Sequence, residues 1–262
     1  MVNKRHVIGA VVIIVLFAIG FFIFRDINYD SSASATVVEE PTFQEIYQEI
    51  SNSSFLIYLN NERGEKSFIG TGFFVNETGY ALTANHVFYT PFSNFKNQTG
   101  IDDYDLFIKN LGEIDIKNEQ GESRAYNIER IQQDDLERKD VLLLKIVNPL
   151  RDIVAINISS KEEVYIGDNI AFIGYTDAGI DITKHAIKGS ISNVGASVKG
   201  YSEKVYIADI SARGGFSGSP VFLQKNGNAI GLISSGSDGN VVNVPPIHDV
   251  QQIIKDLEKN SG

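Results

Sequence analysis

The chain has 262 residues, 43% of them hydrophobic and 21% charged, with a formal net charge of −10. That balance suits one sizeable folded domain or two small ones and excludes general disorder; an acidic chain with no basic stripe among its aromatics is not built for nucleic acid. There is no cysteine, so disulfides and thiolate metal sites are excluded, and the four histidines are scattered without ligand spacing.

The first element is VIGAVVIIVLFAIGFFIF, Val7 to Phe24, 18 residues without a charge. A stretch of that length reaches across a hydrocarbon core of roughly 30 Å. Lys4 and Arg5 precede it, which by the positive-inside rule keeps residues 1–6 cytoplasmic and places the rest outside. Residues 7–24 are therefore expected to be a retained signal-anchor, a single transmembrane helix, followed by a polar tether at 25–41. The rival is a cleaved signal peptide, for which Ala33-Ser34-Ala35 offers a small-residue site and which would leave the protein secreted. Against it, the site lies beyond Arg25 and Asp26, and the apolar run exceeds the usual ~7 to 15 residues. Both readings make the functional domain extracytoplasmic.

PTFQEIYQEISNS then places Phe43, Ile46, Tyr47 and Ile50 at helical spacing. From Phe55 the texture changes to short β-branched and aromatic runs divided by Gly, Asn and Asp. FLIYLN, SFIGTGFFVN, YALTANHVF, DLFIKN, IDIKN, AYNIERI, VLLLKIV, VAINI, NIAFIGY, AIKGSISNV, VYIADI, PVFLQ and AIGLISS all read as strands. About a dozen strands with no long helices between them predict an all-β barrel or sandwich. Tyr89 to Tyr104, with Pro91, Gly100 and several Asn, reads as a surface loop. At the end, Val250, Ile253, Ile254 and Leu257 restore helical period and predict an amphipathic C-terminal helix.

The chemistry centres on GGFSGSPVF, Gly214 to Phe222. A serine hydroxyl is a weak nucleophile unless a histidine takes its proton and an acid fixes that histidine's tautomer. YALTANHVF supplies His86 at the end of an apolar run, and ERKDVLLLKIV supplies Asp140 at the start of another. Singly, Ser217 is better read as a turn serine, His86 as a buried core histidine and Asp140 as a strand cap. Together and in order they form a catalytic set. Asp102, Asp103, Asp134 and Asp135 compete for the acid's role, but none precedes an apolar strand; His185 and His248 read as a loop residue and a residue near a helix start.

LTANHVF resembles the Thr-Ala-x-His segment of chymotrypsin-fold, trypsin-like serine peptidases. KDVLLLKI resembles their Asp-x-x-Leu-Leu strand, and GGFSGSPVF their Gly-x-Ser-Gly-(Gly/Ser)-Pro loop. The order His86, Asp140, Ser217 is theirs too, distinct from the subtilisin and α/β-hydrolase orders. GTGFFVNETGYALTANHV is similar to their first-barrel hairpin, IGDNIAFIGY and KGSISNV to second-barrel strands, and NAIGLISSGS to the strand beyond the nucleophile. The likeness spans about residues 50 to 257 and is nearest to bacterial HtrA-type and glutamyl-endopeptidase-type members.

The resemblance implies two six-stranded antiparallel β-barrels, the first with the N-terminal helix at 42–155 and the second with the C-terminal helix at 156–262. It implies a Ser217–His86–Asp140 triad, an oxyanion hole made by the N–H groups of Gly215 and Ser217, and a substrate pocket lined by Ser211 and Ala212 on one side and Ile233, Ser234 and Ser235 on the other. Protein or peptide substrates follow, with no metal or cofactor, and the chain is expected to act as a monomer.

Three departures matter. Phe216 stands where zymogen-activated relatives carry an aspartate for a new amino terminus. No acid stands at Ser211, six residues before the nucleophile, and Ser234 occupies the position of the glutamyl enzymes' histidine, so a small or medium apolar residue is expected before the scissile bond, with Arg213 facing solvent. Only 45 residues follow Ser217, leaving no room for the PDZ domain HtrA-type proteases usually carry. The alternatives are an inactive binding or sensing module on the same fold and an esterase on the same triad.

Overall fold

The structure is a computed structural model, described over residues 41–61, 63–117, 123–147, 153–158, 163–237 and 240–260. The cytoplasmic tip, the anchor at 7–24 and the tether up to residue 40 lie outside the described residues. No helix among the described residues is long and apolar enough to cross a membrane.

The first helix, α1 (Phe43–Ile50), is set by a capping box: Thr42 Oγ1 accepts from the Glu45 N–H at 3.3 Å, and Glu45 Oε2 accepts from the Thr42 N–H at 2.7 Å. The expected spacing holds, since Ile46 and Ile50 are the buried face. Six strands follow as an antiparallel closed barrel: β1 (Ser54–Asn60), β2 (Lys66–Phe74), β3 (Tyr80–Ala84), β4 (Gly112–Lys117), β5 (Ser123–Ile131) and β6 (Val141–Ile146), in the order β1-β2-β3-β6-β5-β4. Strand β1 closes the ring by pairing on both edges, Leu56 facing Thr71 on β2 and Asp115 on β4. Closure leaves no free ladder edge, and Phe55, Ile57, Phe73, Leu82, Ile114, Ile128, Leu142 and Leu144 fill the interior without exposure.

Between β3 and β4 the expected strand rhythm fails. Residues expected as a strand end, a surface loop and a strand form α2 (Asn85–Thr99) and α3 (Tyr104–Leu111). Pro91 lies inside α2 without ending it. Gly100 is the left-handed C-cap, φ 76°, and Asp103 Oδ1 caps α3 by accepting from the Leu106 N–H at 2.9 Å. What looked like loop punctuation is helix capping. The two helices interlock through rings: Phe92 lies 4.8 Å from Tyr104 and 5.5 Å from Phe107, and Phe95 lies 5.3 Å from Phe107. A single turn, α4 (Asp134–Glu137), precedes β6. VAINI is not a strand either; only Ile158 makes an isolated bridge, to Ala229.

The second half is an antiparallel sheet of β7 (Asn169–Asp177), β8 (Ile182–Ala196), β9 (Val205–Asp209), β10 (Pro220–Leu223), β11 (Ala229–Leu232), β12 (Gly236–Ser237) and β13 (Val241–Val244). The order is β11-β10-β7-β8-β9-β13-β12, seven strands where six were expected. The addition is the two-residue β12, paired only to β13. The six longer strands curl toward closure, since Gly231 on β11 bridges Pro246 just past β13 and Ile247 N–H donates to the Ile230 carbonyl at 3.3 Å. Helix α5 (Val250–Asn260) carries the expected apolar face, with Val250 and Ile254 buried.

The first and last described helices each pack on the other half. Phe43 of α1 stacks on Phe222 of β10 at 6.5 Å, and α5 ties to the β2–β3 turn, where Thr78 Oγ1 donates to Glu258 Oε1 at 2.9 Å. These two helices clamp the seam and hold the two halves, and so the residues between them, in one relative placement.

Candidate active site

His86 and Asp140 are brought together by neighbouring strands. Ala84 ends β3 opposite Val141, which starts β6, so the residues just beyond the ladder stay adjacent. The Asn85 N–H donates to the Asp140 carbonyl at 3.1 Å, and the His86 N–H donates to Asp140 Oδ1 at 2.8 Å. His86 Nδ1 lies 2.7 Å from Asp140 Oδ2, and His86 Nε2 lies 2.9 Å from Ser217 Oγ. An ionised carboxylate only accepts, so Nδ1 carries the proton and Nε2 is left to accept from the serine hydroxyl.

Asp140 is the only non-glycine among the described residues with positive φ, at 65°. The α4 turn and the hydrogen bond from the Asp140 N–H to the Glu137 carbonyl, 3.0 Å, deliver the chain into that conformation. Aspartate tolerates it better than most side chains. A second hydroxyl serves the carboxylate: Ser234 Oγ donates to Asp140 Oδ2.

Ser217 sits in the turn before β10, and the loop that holds it is pinned from the first barrel. Thr71 of β2, fully buried, donates its N–H to the Ser217 carbonyl at 3.0 Å and its Oγ1 proton to the Gly215 carbonyl at 2.9 Å. Gly218 and Gly215 have φ of 87° and 95°. A Cβ on Gly218 would stand 2.1 Å from the Thr71 carbonyl, and one on Gly215 would stand 2.7 Å from the Tyr175 carbonyl, so both positions demand glycine. Neither the Gly215 nor the Ser217 N–H donates to a partner among the described residues.

Phe216 is a core residue, 1% exposed, with its ring 4.8 Å from Phe172 and 5.6 Å from His185, both edge-on. His185, expected in a loop, lies on β8. The residues expected to line the pocket differ in burial and partners. Ser211 is exposed and Ala212 packs half-buried on the second core. Ile233 is buried in that core, and Ser234, 5% exposed, turns to Asp140 and to Tyr201 Oη at 2.6 Å. Ser235 is exposed, yet bonded to Tyr201 Oη at 2.7 Å. Two cavities on the first half share Phe95, Phe107 and Leu111 in their walls and contain none of His86, Asp140 and Ser217.

Thr71, Tyr104, Lys139 and Tyr201 carry structural weight at the site that the sequence reading missed. Tyr104 Oη donates to Asn85 Oδ1 at 3.0 Å, one residue before His86, and burial pushes its hydroxyl pKa well above the ordinary tyrosine value. Lys139, 3% exposed, meets Asp249 at 2.8 Å and Glu203 at 3.2 Å. Burial works to lower its pKa, but the Asp249 hydrogen bond and charge, then Glu203, outweigh it and leave the ammonium above the ordinary lysine value. Of these, GTGFF was singled out for its likeness, but nothing local distinguished Thr71 from any strand threonine.

Residues 70–232, more than half of the chain, match the family described as trypsin-like peptidase domain. The chain belongs to that family, and the enzyme class it defines is serine endopeptidase, a hydrolase of protein or peptide substrates. Solved structures with the same fold include Deg5, at 18% identity and a TM-score of 0.56 over 80% of this chain and 89% of that one. An HtrA-type protease, AlgW with a tripeptide, is 20% identical with a TM-score of 0.58 over 83% of this chain and 64% of that one. A serine endoprotease from Yersinia pestis is 20% identical with a TM-score of 0.57 over 85% and 69%. No curated protein matches the chain.

Proposed function

We propose that this protein is a membrane-anchored, extracytoplasmic serine endopeptidase that works through Ser217, His86 and Asp140. The observation that carries the reading is the unbroken path from Asp140 Oδ2 to His86 Nδ1, 2.7 Å, and from His86 Nε2 to Ser217 Oγ, 2.9 Å. Both distances lie within the reach that proton transfer and nucleophile activation require. Ser217 Oγ attacks the peptide carbonyl as His86 takes its proton; His86 then returns that proton to the leaving amine, and water resolves the acyl-enzyme by the same route. Asp140 holds the imidazole tautomer and offsets the charge that forms on it. The uncommitted N–H groups of Gly215 and Ser217 serve as the oxyanion hole, each donor worth on the order of 3 kcal/mol in the transition state.

With Phe216 buried in the core rather than an aspartate awaiting an amine, the site needs no amino-terminal cleavage to form. The exposed Ser211 and half-buried Ala212 leave the pocket without a counter-charge, which favours a small or medium apolar residue before the scissile bond. Residues 7–24 serve as the anchor, on the strength of their uncharged 18-residue length and the preceding Lys4 and Arg5.

The test uses the full chain in detergent with casein and a peptide library, and Ser217→Ala as control. Cleavage by the native chain alone, at bonds following small apolar residues, supports the reading; cleavage by both proteins or by neither contradicts it. Alkaline extraction of membranes from producing cells should leave the full chain in the pellet, and release to the supernatant would contradict the anchor.

A further inference from the structure

The loop between β8 and β9 grips the acid with three consecutive residues. Tyr201 Oη meets Ser234 Oγ, the Ser202 N–H donates to the Arg138 carbonyl at 3.0 Å, and Glu203 meets Lys139 at 3.2 Å. Their partners are Ser234, which donates to Asp140, and Arg138 and Lys139, the two residues before it. The proton inventory then fixes the direction of every bond in the polar series behind it. Asn243 Nδ2 can only donate, and does so to Ser235 Oγ at 3.0 Å. Asp140 can only accept, so the single Ser234 proton is committed to it. Tyr201 must therefore donate to Ser234 at 2.6 Å, and Ser235 must donate to Tyr201 at 2.7 Å. A further donation to Tyr201 Oη comes from the Ser235 N–H at 3.4 Å.

We propose that Tyr201 is a positioning residue for Asp140, ordering through Ser234 a one-way series of hydrogen bonds that runs from Asn243 and ends on the carboxylate. Aligned donors polarise one another, so the Ser234 hydroxyl is held on Asp140 and competes with His86 for the charge on Oδ2. The β8–β9 loop thereby sets how strongly Asp140 pulls on the imidazole. The inference rests on the serine-peptidase reading for its kinetic consequence, and on geometry alone for the bond order.

The other charged and titratable groups around Asp140 are engaged elsewhere: Lys139 with Glu203 and Asp249, Glu137 with Arg130, and Tyr104 with Asn85. Replacing Tyr201 by Phe leaves them in place and removes one donor. More negative charge then faces His86, which favours the protonated ring, so activity is lost at the acidic end first.

The experiment measures the second-order rate of fluorophosphonate labelling against pH for the full chain, Tyr201→Phe and Ser235→Ala. Tyr201→Phe should label about threefold more slowly on its acidic limb, which moves up by about half a pH unit. Ser235→Ala, an exposed position that tests the next link if Tyr201→Phe folds poorly, should move the limb the same way by less. An unmoved limb with a rate within twofold of native in either folded variant overturns the proposal. If the native chain takes no label, the peptidase reading fails while the bond order is still tested by the low-field NMR resonance of the His86 Nδ1 proton. That resonance should shift in Tyr201→Phe, and an unshifted one overturns the proposal.

Discussion

Thr71 of the first barrel holds the Ser217 loop of the second by two bonds, its N–H to the Ser217 carbonyl at 3.0 Å and its Oγ1 to the Gly215 carbonyl at 2.9 Å. The same Oγ1 accepts from the Tyr175 N–H at 3.0 Å. Thr71→Val keeps the shape and removes both side-chain bonds, stranding a carbonyl and a buried N–H. The expected cost is about 2 kcal/mol in urea unfolding, with fluorophosphonate labelling slowed at least tenfold. Full labelling in the destabilised variant would separate the loop's conformation from Thr71.

Asp140→Asn and Asp140→Ala should part company. Asparagine accepts the left-handed φ of 65° and should melt near the native temperature. An amide cannot hold the tautomer as a carboxylate does, so labelling of Ser217 should fall on the order of 10⁴-fold. Alanine should lose activity and also at least about 1 kcal/mol of stability, since it meets the left-handed penalty without a side chain to bond the His86 N–H. Equal melting of the two variants would contradict this reading of Asp140.

Phe216→Ala removes a fully buried ring from between Phe172 and His185. The expected loss is about 3 to 4 kcal/mol, read from the denaturant midpoint, and the oxyanion loop should loosen with it. A variant as stable as the native chain would mean that the ring is not part of the second core.

Lys139→Met tests the clasp on the acid loop. Lys139 has a raised pKa when folded, so its contribution is fully present below the unfolded lysine value of about 10.4 and is lost as pH rises through the folded value. Native stability minus Lys139→Met stability should thus be flat through neutral pH, at about 1.5 to 3 kcal/mol, and shrink above about pH 10. A difference that shrinks toward acid instead would show that the carboxylates carry it.

The candidate site motifs were legible because each is a local signature: an apolar run leading to His86, another following Asp140, and a glycine-rich turn around Ser217. The first barrel was legible for the same reason, its strands being β-branched runs between turn residues. Helices α2 and α3 were not, because Gly100 and Asp103 mark caps as readily as loops, and because the rings of Phe92, Tyr104 and Phe107 confer helix only when they meet in space. Tertiary partners left no local trace. Thr71, Tyr201 and Ser234 matter through atoms more than 30 residues away in sequence.

If His86 arms Ser217 as a nucleophile, the hydroxyl should react with an electrophile only while the imidazole is present. The most direct measurement is mass-spectrometric localisation of a fluorophosphonate adduct on the full chain, with His86→Ala and Ser217→Ala in parallel. A single adduct on Ser217 is expected in the native chain, with near-absent labelling in His86→Ala and none in Ser217→Ala. An unlabelled native chain, or an adduct formed equally well without His86, would contradict it.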